Sequence, residues 1–193
     1  MPMNGNSALL SAVIIDRQAV DEPGADAWPS RPEGRRVLDR LYALVEHYTD
    51  DRVLVTRDPL AAFGWNGLIA APEGAASSLL AALDTGLKMI RHPGAIVLAL
   101  DAPWVQEGVI ALLHSSLQPR WDAVLPEVGG RLMPFPAIYT RGCLHRIALH
   151  LGRGVTELHA LLPKLRYRPI SEKKLRLADP ELKSFAGLKA DET

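Results

Sequence analysis

The stretch Ala95-Ile96-Val97-Leu98-Ala99-Leu100-Asp101-Ala102-Pro103 is an apolar run that ends in a carboxylate and a proline. Uninterrupted apolar runs of this kind, bounded by turn-forming residues, are typical of strands buried on both faces of a parallel sheet. We therefore predict a strand at 95–100, in the centre of the sheet. Ligands bind outside the carboxyl ends of the strands in such sheets, which makes Asp101 the first candidate for a functional residue.

Strand and helix patterns alternate over most of the remaining chain. Short apolar runs predict further strands at 8–15, 52–56, 67–71, 123–125, 135–140 and 166–170. Apolar residues at helical spacing predict helices at 37–48, 79–90, 105–117, 143–151 and 155–165, and we expect the charged tail from Ser171 on the surface. The alternation predicts a three-layer α/β fold, Rossmann-like, with a mainly parallel sheet covered by helices on both faces. We expect residues 1–193 to form one such domain.

The composition argues against several classes of protein. Lysine and arginine together number 22, as do aspartate and glutamate, so the chain lacks the basic excess typical of proteins that bind nucleic acid or anionic membranes. Cys143 is the only cysteine, which rules out an internal disulfide and fits a reducing compartment. No apolar run approaches the ~20 residues that span a bilayer. We expect a cytoplasmic protein with no nucleic-acid or membrane partner.

Asp101 has two interpretations at this point. A carboxylate at the end of a central strand can hold a magnesium ion that bridges nucleotide phosphates. The same residue can instead cap the following helix, with Pro103 in its first turn. The local residues alone favour the helix cap.

Two loops of the predicted fold are candidates for phosphate binding. The loop 16–34 follows the first strand, but Gly24 and Gly34 are its only glycines and its three prolines suit an ordinary connection. The segment Glu73–Ser78 is a small-residue loop that runs into a helix, so its amides could receive a phosphate. A tight turn with a serine cap, Ser77 or Ser78, is the more common use of such a segment.

Three segments, 97–103, 130–139 and 151–155, follow one another in an order that resembles the molybdenum cofactor guanylyltransferases. The first resembles the family's apolar strand followed by Asp-x-Pro, the second its Gly-Arg-x-x-Pro-Leu-x-Ala-x-Tyr segment, and the third its Leu-x-x-Gly region. These enzymes join GMP from GTP to molybdopterin and share their fold with other nucleotidyltransferases. The resemblance implies that Asp101 is catalytic and binds magnesium, and that Arg131, Pro134 and Tyr139 contact the acceptor.

The resemblance includes the loop after the first strand. Aligning Ile15 with the leucine that opens the family's Leu-Ala-Gly-Gly signature brings Gly24 and Asp26 onto matching positions without a gap. The resemblance therefore implies that GTP contacts residues of this loop and of the loop before the second helix. They are Ile15, Arg17, Gly24, Asp26, Gly74 and Ser78.

The glycines and the charges of that signature are nevertheless changed. Arg17 and Gln18 stand in place of its paired glycines, Glu22 in place of its phosphate-binding arginine, and Ala27 in place of its lysine. A carboxylate where a triphosphate needs a cation is repulsive, and the loss of positioned charge slows phosphoryl transfer. The nucleotide half of the site therefore departs from the family more than the acceptor half does.

Three functions remain open on the sequence. The first is a divergent nucleotidyltransferase that acts on molybdopterin, with magnesium at Asp101. The second is a non-catalytic relative that binds the pterin cofactor or a partner protein of cofactor assembly, which the altered loop favours. The third is a nucleotidyltransferase that acts on a sugar or alcohol phosphate, since those enzymes share the scaffold and the strand-terminal aspartate.

Overall fold

The computed structural model describes residues 9–17, 32–57, 65–72 and 78–186 of the chain. Within these ranges the strands form one sheet in the order β3-β2-β1-β4-β7-β5-β6, and β8 also pairs with β5. The strands are β1 (Leu10–Ile15), β2 (Thr49–Val55), β3 (Leu68–Ala70), β4 (Gly94–Ala99), β5 (Ala123–Val128), β6 (Arg131–Leu132), β7 (Ala137–Thr140) and β8 (Tyr167–Ser171).

Most of these strands run in the same direction. β1 is parallel to both β2 and β4, β2 is parallel to β3, and β5 is parallel to β8. β7 is antiparallel to both of its neighbours, β4 and β5, so β5 keeps the direction of β4. The carboxyl ends of β1, β2, β3, β4, β5 and β8 consequently lie at one edge of the sheet, which we call the carboxyl edge.

Helices cover both faces of the sheet, which confirms the three-layer, mainly parallel α/β prediction. They are α1 (Pro32–Val45), α2 (Leu79–Met89), α3 (Glu107–Ser116), α4 (Leu144–Leu151), α5 (Leu158–Leu161) and α6 (Glu172–Ala178). α3 contacts α1 and α6, whereas α4 contacts α2 and α5. The crossover through α1 carries the chain outward from β1 to β2, and the crossover through α2 carries it back from β3 to β4. Right-handed crossovers in opposite directions place their helices on opposite faces.

The predicted central strand lies where the sequence placed it. Every residue of β4 is buried, because β1 and β7 flank it and helices cover both faces. β1 is buried along its whole length as well. Such strands have no solvent-facing side, which is why their sequences show continuous apolar runs instead of alternation. No helix in the described ranges is long and apolar enough to cross a membrane.

The C-terminal segment differs from its prediction. The tail from Ser171 was expected on the surface, but β8 extends to Ser171 and α6 follows it directly. Leu175 and Phe185 are buried, and these two apolar side chains anchor an otherwise charged segment to the body. The predicted helix at 155–165 is also shorter, because α5 gives way to a 3₁₀ turn at Leu162–Lys164 that includes Pro163, which has no amide to donate.

A tight hairpin missing from the sequence prediction joins β5 to β6. Its two turn residues, Gly129 and Gly130, have φ values of 58° and 76°, a conformation that glycine adopts without strain. The Gly129 amide donates to Glu172 Oε2 at 2.8 Å, and Glu172 Oε1 accepts from Arg176 Nε at 2.9 Å. The first turn of α6 therefore holds this hairpin in place at the carboxyl edge.

The close approach of α2 to the sheet depends on Gly86. A β-carbon at this position would lie 2.6 Å from Val13 Cγ1 and 3.4 Å from Val55 Cγ2. We predict that Gly86→Ala lowers the free energy of unfolding by about 1–3 kcal/mol through overpacking, although alanine is the better helix former. Chemical denaturation measures this difference. Adding Val13→Ala should recover part of the loss, and strictly additive costs of the two substitutions would contradict the packing argument.

Candidate functional site

Asp101 lies just beyond the carboxyl end of β4. The Ala102 amide donates to the Ala99 carbonyl at 3.1 Å, which turns the chain out of the sheet at this point. α3 begins only at Glu107, and its N-cap is Gln106, whose side chain makes no capping hydrogen bond. The interpretation of Asp101 as a helix cap is therefore wrong, because the helix begins six residues further along the chain.

Arg17 is the nearest charged partner of Asp101. It follows β1, whose Ile15 pairs with Ala99 of β4, and the Leu100 amide donates to the Ile15 carbonyl at 2.9 Å. This pairing brings the two strand ends side by side, with Arg17 Nε 3.6 Å from Asp101 Oδ2. The Arg17 side chain is 13% exposed and that of Asp101 is 22% exposed, so the ion pair is largely shielded from water.

Burial determines the electrostatics of Asp101. It raises the pKa of the carboxyl above its ordinary value, and the positive charge of Arg17 offsets this effect only in part. Asp101 Oδ1 is buried and has no hydrogen-bond partner among the residues that the structure describes. A buried acceptor without a donor is costly, and such groups occur at sites where a ligand or an ion supplies the missing contact.

Two further polar residues end neighbouring strands at the same edge. Asp16 directly follows β1 and is buried, and its Oδ2 accepts a hydrogen bond of 3.0 Å from the Thr56 hydroxyl, which follows β2. The Asp16 and Thr56 amides continue the sheet by donating to Val55 and Ala70 respectively. Sequence reasoning did not single out this pair, although the rule that identified Asp101 applies equally to residues that end β1 and β2.

The side chains around Asp101, as the structure arranges them, do not provide the ligands that a divalent cation needs. A magnesium ion needs oxygen ligands close around it, but the Asp101 carboxylate faces the Arg17 guanidinium instead. The Asp16 carboxylate already accepts a hydrogen bond from the Thr56 hydroxyl. Within the described ranges no group of three or more histidine, cysteine, aspartate or glutamate side chains could hold a metal. The guanidinium of Arg17 thus lies beside the carboxylate to which the resemblance assigned magnesium.

Ser78 begins α2 and acts as its N-cap. Its Oγ accepts a hydrogen bond of 3.1 Å from the Ala81 amide, and its carbonyl accepts one of 3.0 Å from the Ala82 amide. The alternative interpretation of this segment, a turn with a serine cap, is therefore confirmed for Ser78. Its expected contact with GTP stays a prediction, and any such contact would share the side chain with the cap.

We predict that Ser78→Ala lowers the free energy of unfolding by about 1 kcal/mol, because α2 loses one of its few partners for its first amides. Ser78→Thr retains a hydroxyl at the same position and should restore most of the loss. Thermal and chemical denaturation of the two variants measure the effect. Equal stabilities of the alanine variant and the original protein would show that the cap contributes nothing.

The residues expected at the acceptor lie on and after the β5–β6 hairpin. Arg131 is exposed in β6 and pairs with Val128 of β5. Pro134 is buried, and so is Tyr139, whose hydroxyl donates to the Pro134 carbonyl at 2.9 Å. Since β5 runs in the direction of β4, Arg131 lies at the carboxyl edge, as Asp101 does. Of the three residues, Arg131 has an accessible side chain, and Tyr139 supports the segment from within.

We predict that Tyr139→Phe lowers the free energy of unfolding by about 1–2 kcal/mol, because the Pro134 carbonyl loses its donor in a buried place. A direct contact of the hydroxyl with the acceptor would instead change acceptor affinity at constant stability. Denaturation and acceptor binding, measured on the same variant, separate these two roles. A variant as stable as the original protein would contradict the structural role.

The other residues of the expected site either lie outside the described ranges or are buried. Gly24, Asp26 and Gly74 lie outside the described residues, as do Gln18, Glu22 and Ala27. Ile15 is buried in β1, and its carbonyl bonds to the Leu100 amide. Cys143 is buried too, and burial raises the pKa of its thiol to about 12, so it is not a nucleophile. The described part of the site therefore centres on Arg17 and Asp101.

Comparisons with known proteins identify the family of the chain. The family model of the MobA-like NTP transferase domain matches residues 30–168, beginning after β1 and near the end of the loop that follows it. A molybdenum cofactor guanylyltransferase from Desulfosudis oleivorans is 35% identical over 160 residues, which cover 83% of this chain and 79% of that protein.

Two solved structures resemble the fold. Molybdopterin-guanine dinucleotide biosynthesis protein A from Archaeoglobus fulgidus superposes with a TM-score of 0.72 at 18% identity, covering 91% of this chain and 90% of that one. The 2-C-methyl-D-erythritol 4-phosphate cytidylyltransferase from Thermus thermophilus has a TM-score of 0.54 at 16% identity, with 89% and 98% covered. At these identities the two structures support the fold alone.

Proposed function

The chain belongs to the MobA-like NTP transferase domain family, and we propose that it transfers GMP from GTP to molybdopterin in molybdenum cofactor biosynthesis. The observation that carries this proposal is the position of Asp101. Its carboxylate follows the central strand, is only 22% exposed, and keeps one oxygen without a hydrogen-bond partner among the described residues. The guanylyltransferase that is 35% identical supports GTP and molybdopterin as the substrates.

The proposed reaction is an exchange at the α-phosphorus of GTP. An oxygen of the acceptor's phosphate attacks that phosphorus, a new P–O bond forms, and the bond to the bridging oxygen of the β-phosphate breaks. Pyrophosphate leaves with the bonding electron pair. The protein contributes mainly position and charge in such reactions, so positive side chains at the carboxyl edge are the groups to examine.

Arg17 and Arg131 suit this role on opposite sides of Asp101. Arg17 lies at the end of β1, beside β4, and its guanidinium can offset the charge that develops on the phosphates. Arg131 is exposed on the hairpin that extends from β5, two strands away from β4 in the sheet. We therefore assign the nucleotide to the Arg17 side and the pterin to the Arg131 side.

Magnesium is the cofactor that the resemblance implies. The Asp101 carboxylate, with a guanidinium at 3.6 Å, does not fit a cation as it stands, so no step of the proposed reaction is routed through a metal. A nucleotide that carried its own magnesium would bring most of the ligands in its phosphates and water.

A binding protein without catalysis is the second candidate. Its support is the replacement of the paired glycines by Arg17 and Gln18, because side chains at these positions hinder the approach of backbone amides to phosphates. Such a protein would hold the pterin near Arg131 or engage a partner of cofactor assembly. A cytidylyltransferase-like activity on another phosphate acceptor is supported by the shared fold alone.

We predict that Asp101→Asn lowers the rate of pyrophosphate release from GTP and molybdopterin by about 100-fold or more, because Arg17 loses the carboxylate that positions its guanidinium beside the reacting phosphates. Asp39→Asn is the matched control, since Asp39 is an exposed aspartate paired with Arg35 on α1, and its rate should be unchanged. Turnover with CTP in place of GTP would overturn the choice of nucleotide. Pterin binding that needs Arg131, without any pyrophosphate, would favour the binding protein.

The same substitution tests the protonation of Asp101. Because the folded protein holds the pKa of this carboxyl above its unfolded value, the folded state binds the proton more tightly. The contribution of Asp101 to the free energy of unfolding must then fall as the pH rises through the interval between the two pKa values. Asp101→Asn, which cannot ionise, should show a smaller decline over that interval. A steeper decline in the variant would contradict the raised pKa.

A further inference from the structure

The contact between Arg17 and Asp101 differs from the arginine–carboxylate pair that Arg166 forms with Asp122. At the amino end of β5, Asp122 accepts hydrogen bonds from Arg166 Nε at 3.0 Å and Nη2 at 2.7 Å, a bidentate pair of good geometry. Arg17 Nε and Asp101 Oδ2 are 3.6 Å apart, too far for a hydrogen bond. The Arg166–Asp122 pair joins the beginnings of β5 and β8 by hydrogen bonds. The Arg17–Asp101 contact rests on the attraction of opposite charges.

The position of Arg17 also allows its guanidinium to exchange Asp101 for another partner without a change in the sheet. Arg17 lies two residues beyond Ile15, the last paired residue of β1, so a substitution there does not alter the pairing of the strands. Its Nε atom is buried and has no hydrogen-bond partner among the described residues, and the same holds for Asp101 Oδ1. Both groups thus keep unused hydrogen-bonding capacity at the carboxyl edge, where a phosphate could accept from one and a cation could bind the other.

We infer that Arg17 is a built-in counter-ion of Asp101, and that the guanidinium and a divalent cation compete for this carboxylate. In the protein without nucleotide, Arg17 keeps divalent cations away from Asp101. When a nucleotide binds, its phosphates attract the guanidinium and release the carboxylate. The inference deepens the proposed function, on which only this last exchange rests.

The competition predicts that the affinity for a divalent cation rises when the Arg17 side chain is replaced, whereas most substitutions in a binding site lower affinity. An opposite charge a few ångströms away changes the proton affinity of a carboxylate by about ten- to a thousandfold, and its effect on a divalent cation should be at least as large. Calorimetric titration with Mn²⁺ in the absence of nucleotide should therefore show at least about tenfold tighter binding to Arg17→Ala than to the original protein. Arg17→Gln, which preserves the length and polarity of the side chain, should behave like Arg17→Ala, and Arg17→Lys should not.

Two further variants locate the effect. Adding Asp101→Asn to Arg17→Ala should abolish the gain in Mn²⁺ affinity. Arg40→Ala is the matched arginine control, because the Arg40 guanidinium lies 5.9 Å from the Trp104 ring centre and donates to the Val105 carbonyl, close in sequence to Asp101. It should leave Mn²⁺ binding unchanged. Circular dichroism shows whether each variant is folded. If Arg17→Ala is not folded, Arg17→Gln takes its place in the titration.

Two results would overturn the inference. The first is equal Mn²⁺ affinity of Arg17→Ala, Arg17→Gln and the original protein. The second is a gain that survives Asp101→Asn, which would place the metal elsewhere. Because no nucleotide or pterin is present, these results do not depend on the GMP transfer. A protein that passes the Mn²⁺ test but releases no pyrophosphate from GTP would disprove the proposed function and leave the counter-ion in place.

Discussion

The parallel pairing of β1 with β4 is the constraint on which the site depends. It holds the ends of two buried strands side by side, about 4.8 Å apart. Whatever follows these strands must share one small and poorly hydrated volume. Like charges there would repel strongly, and a single charge would be costly to bury. The chain places Arg17 after one strand and Asp101 after the other, so the electrostatics of the site follow from the register of the sheet.

The reversed direction of β7 explains why the expected acceptor residue Arg131 lies at the same edge of the sheet as Asp101. Because β7 opposes both neighbours, β5 ends at the same edge as β4 and carries the hairpin with Arg131 there. The hairpin is a short two-stranded extension that would be weak alone. The Gly129 amide binds Glu172, the first residue of α6, and Phe185 is buried further along the same segment. The C-terminal segment thus stabilises the hairpin that carries Arg131, on which the proposed acceptor side depends.

The sequence predicted the elements whose signal is local. The apolar run of β4, the helical spacing of α2 and the cap at Ser78 each depend on neighbouring residues, and each prediction is confirmed. The direction of β7 depends on distant pairing, and the burial of Tyr139 on the layers around it, so neither was visible in local patterns. The ion pair between Arg17 and Asp101 is of the same kind. It requires knowing that β1 and β4 are neighbours, although four other elements separate them along the chain.

An arginine at position 17, where the family resemblance has a glycine, is compatible with the fold because residue 17 lies beyond the paired residues of β1 and its side chain acts through charge. Without a ligand, the guanidinium reduces the cost of burying the Asp101 carboxylate, although the pKa of that group stays raised. With a phosphate nearby, the same guanidinium has a second anion to neutralise, and Asp101 needs another cation in exchange. A glycine would leave Asp101 unpaired in the first state and would offer only an amide in the second. The arginine therefore balances the charge of Asp101 in the first state and that of a phosphate in the second.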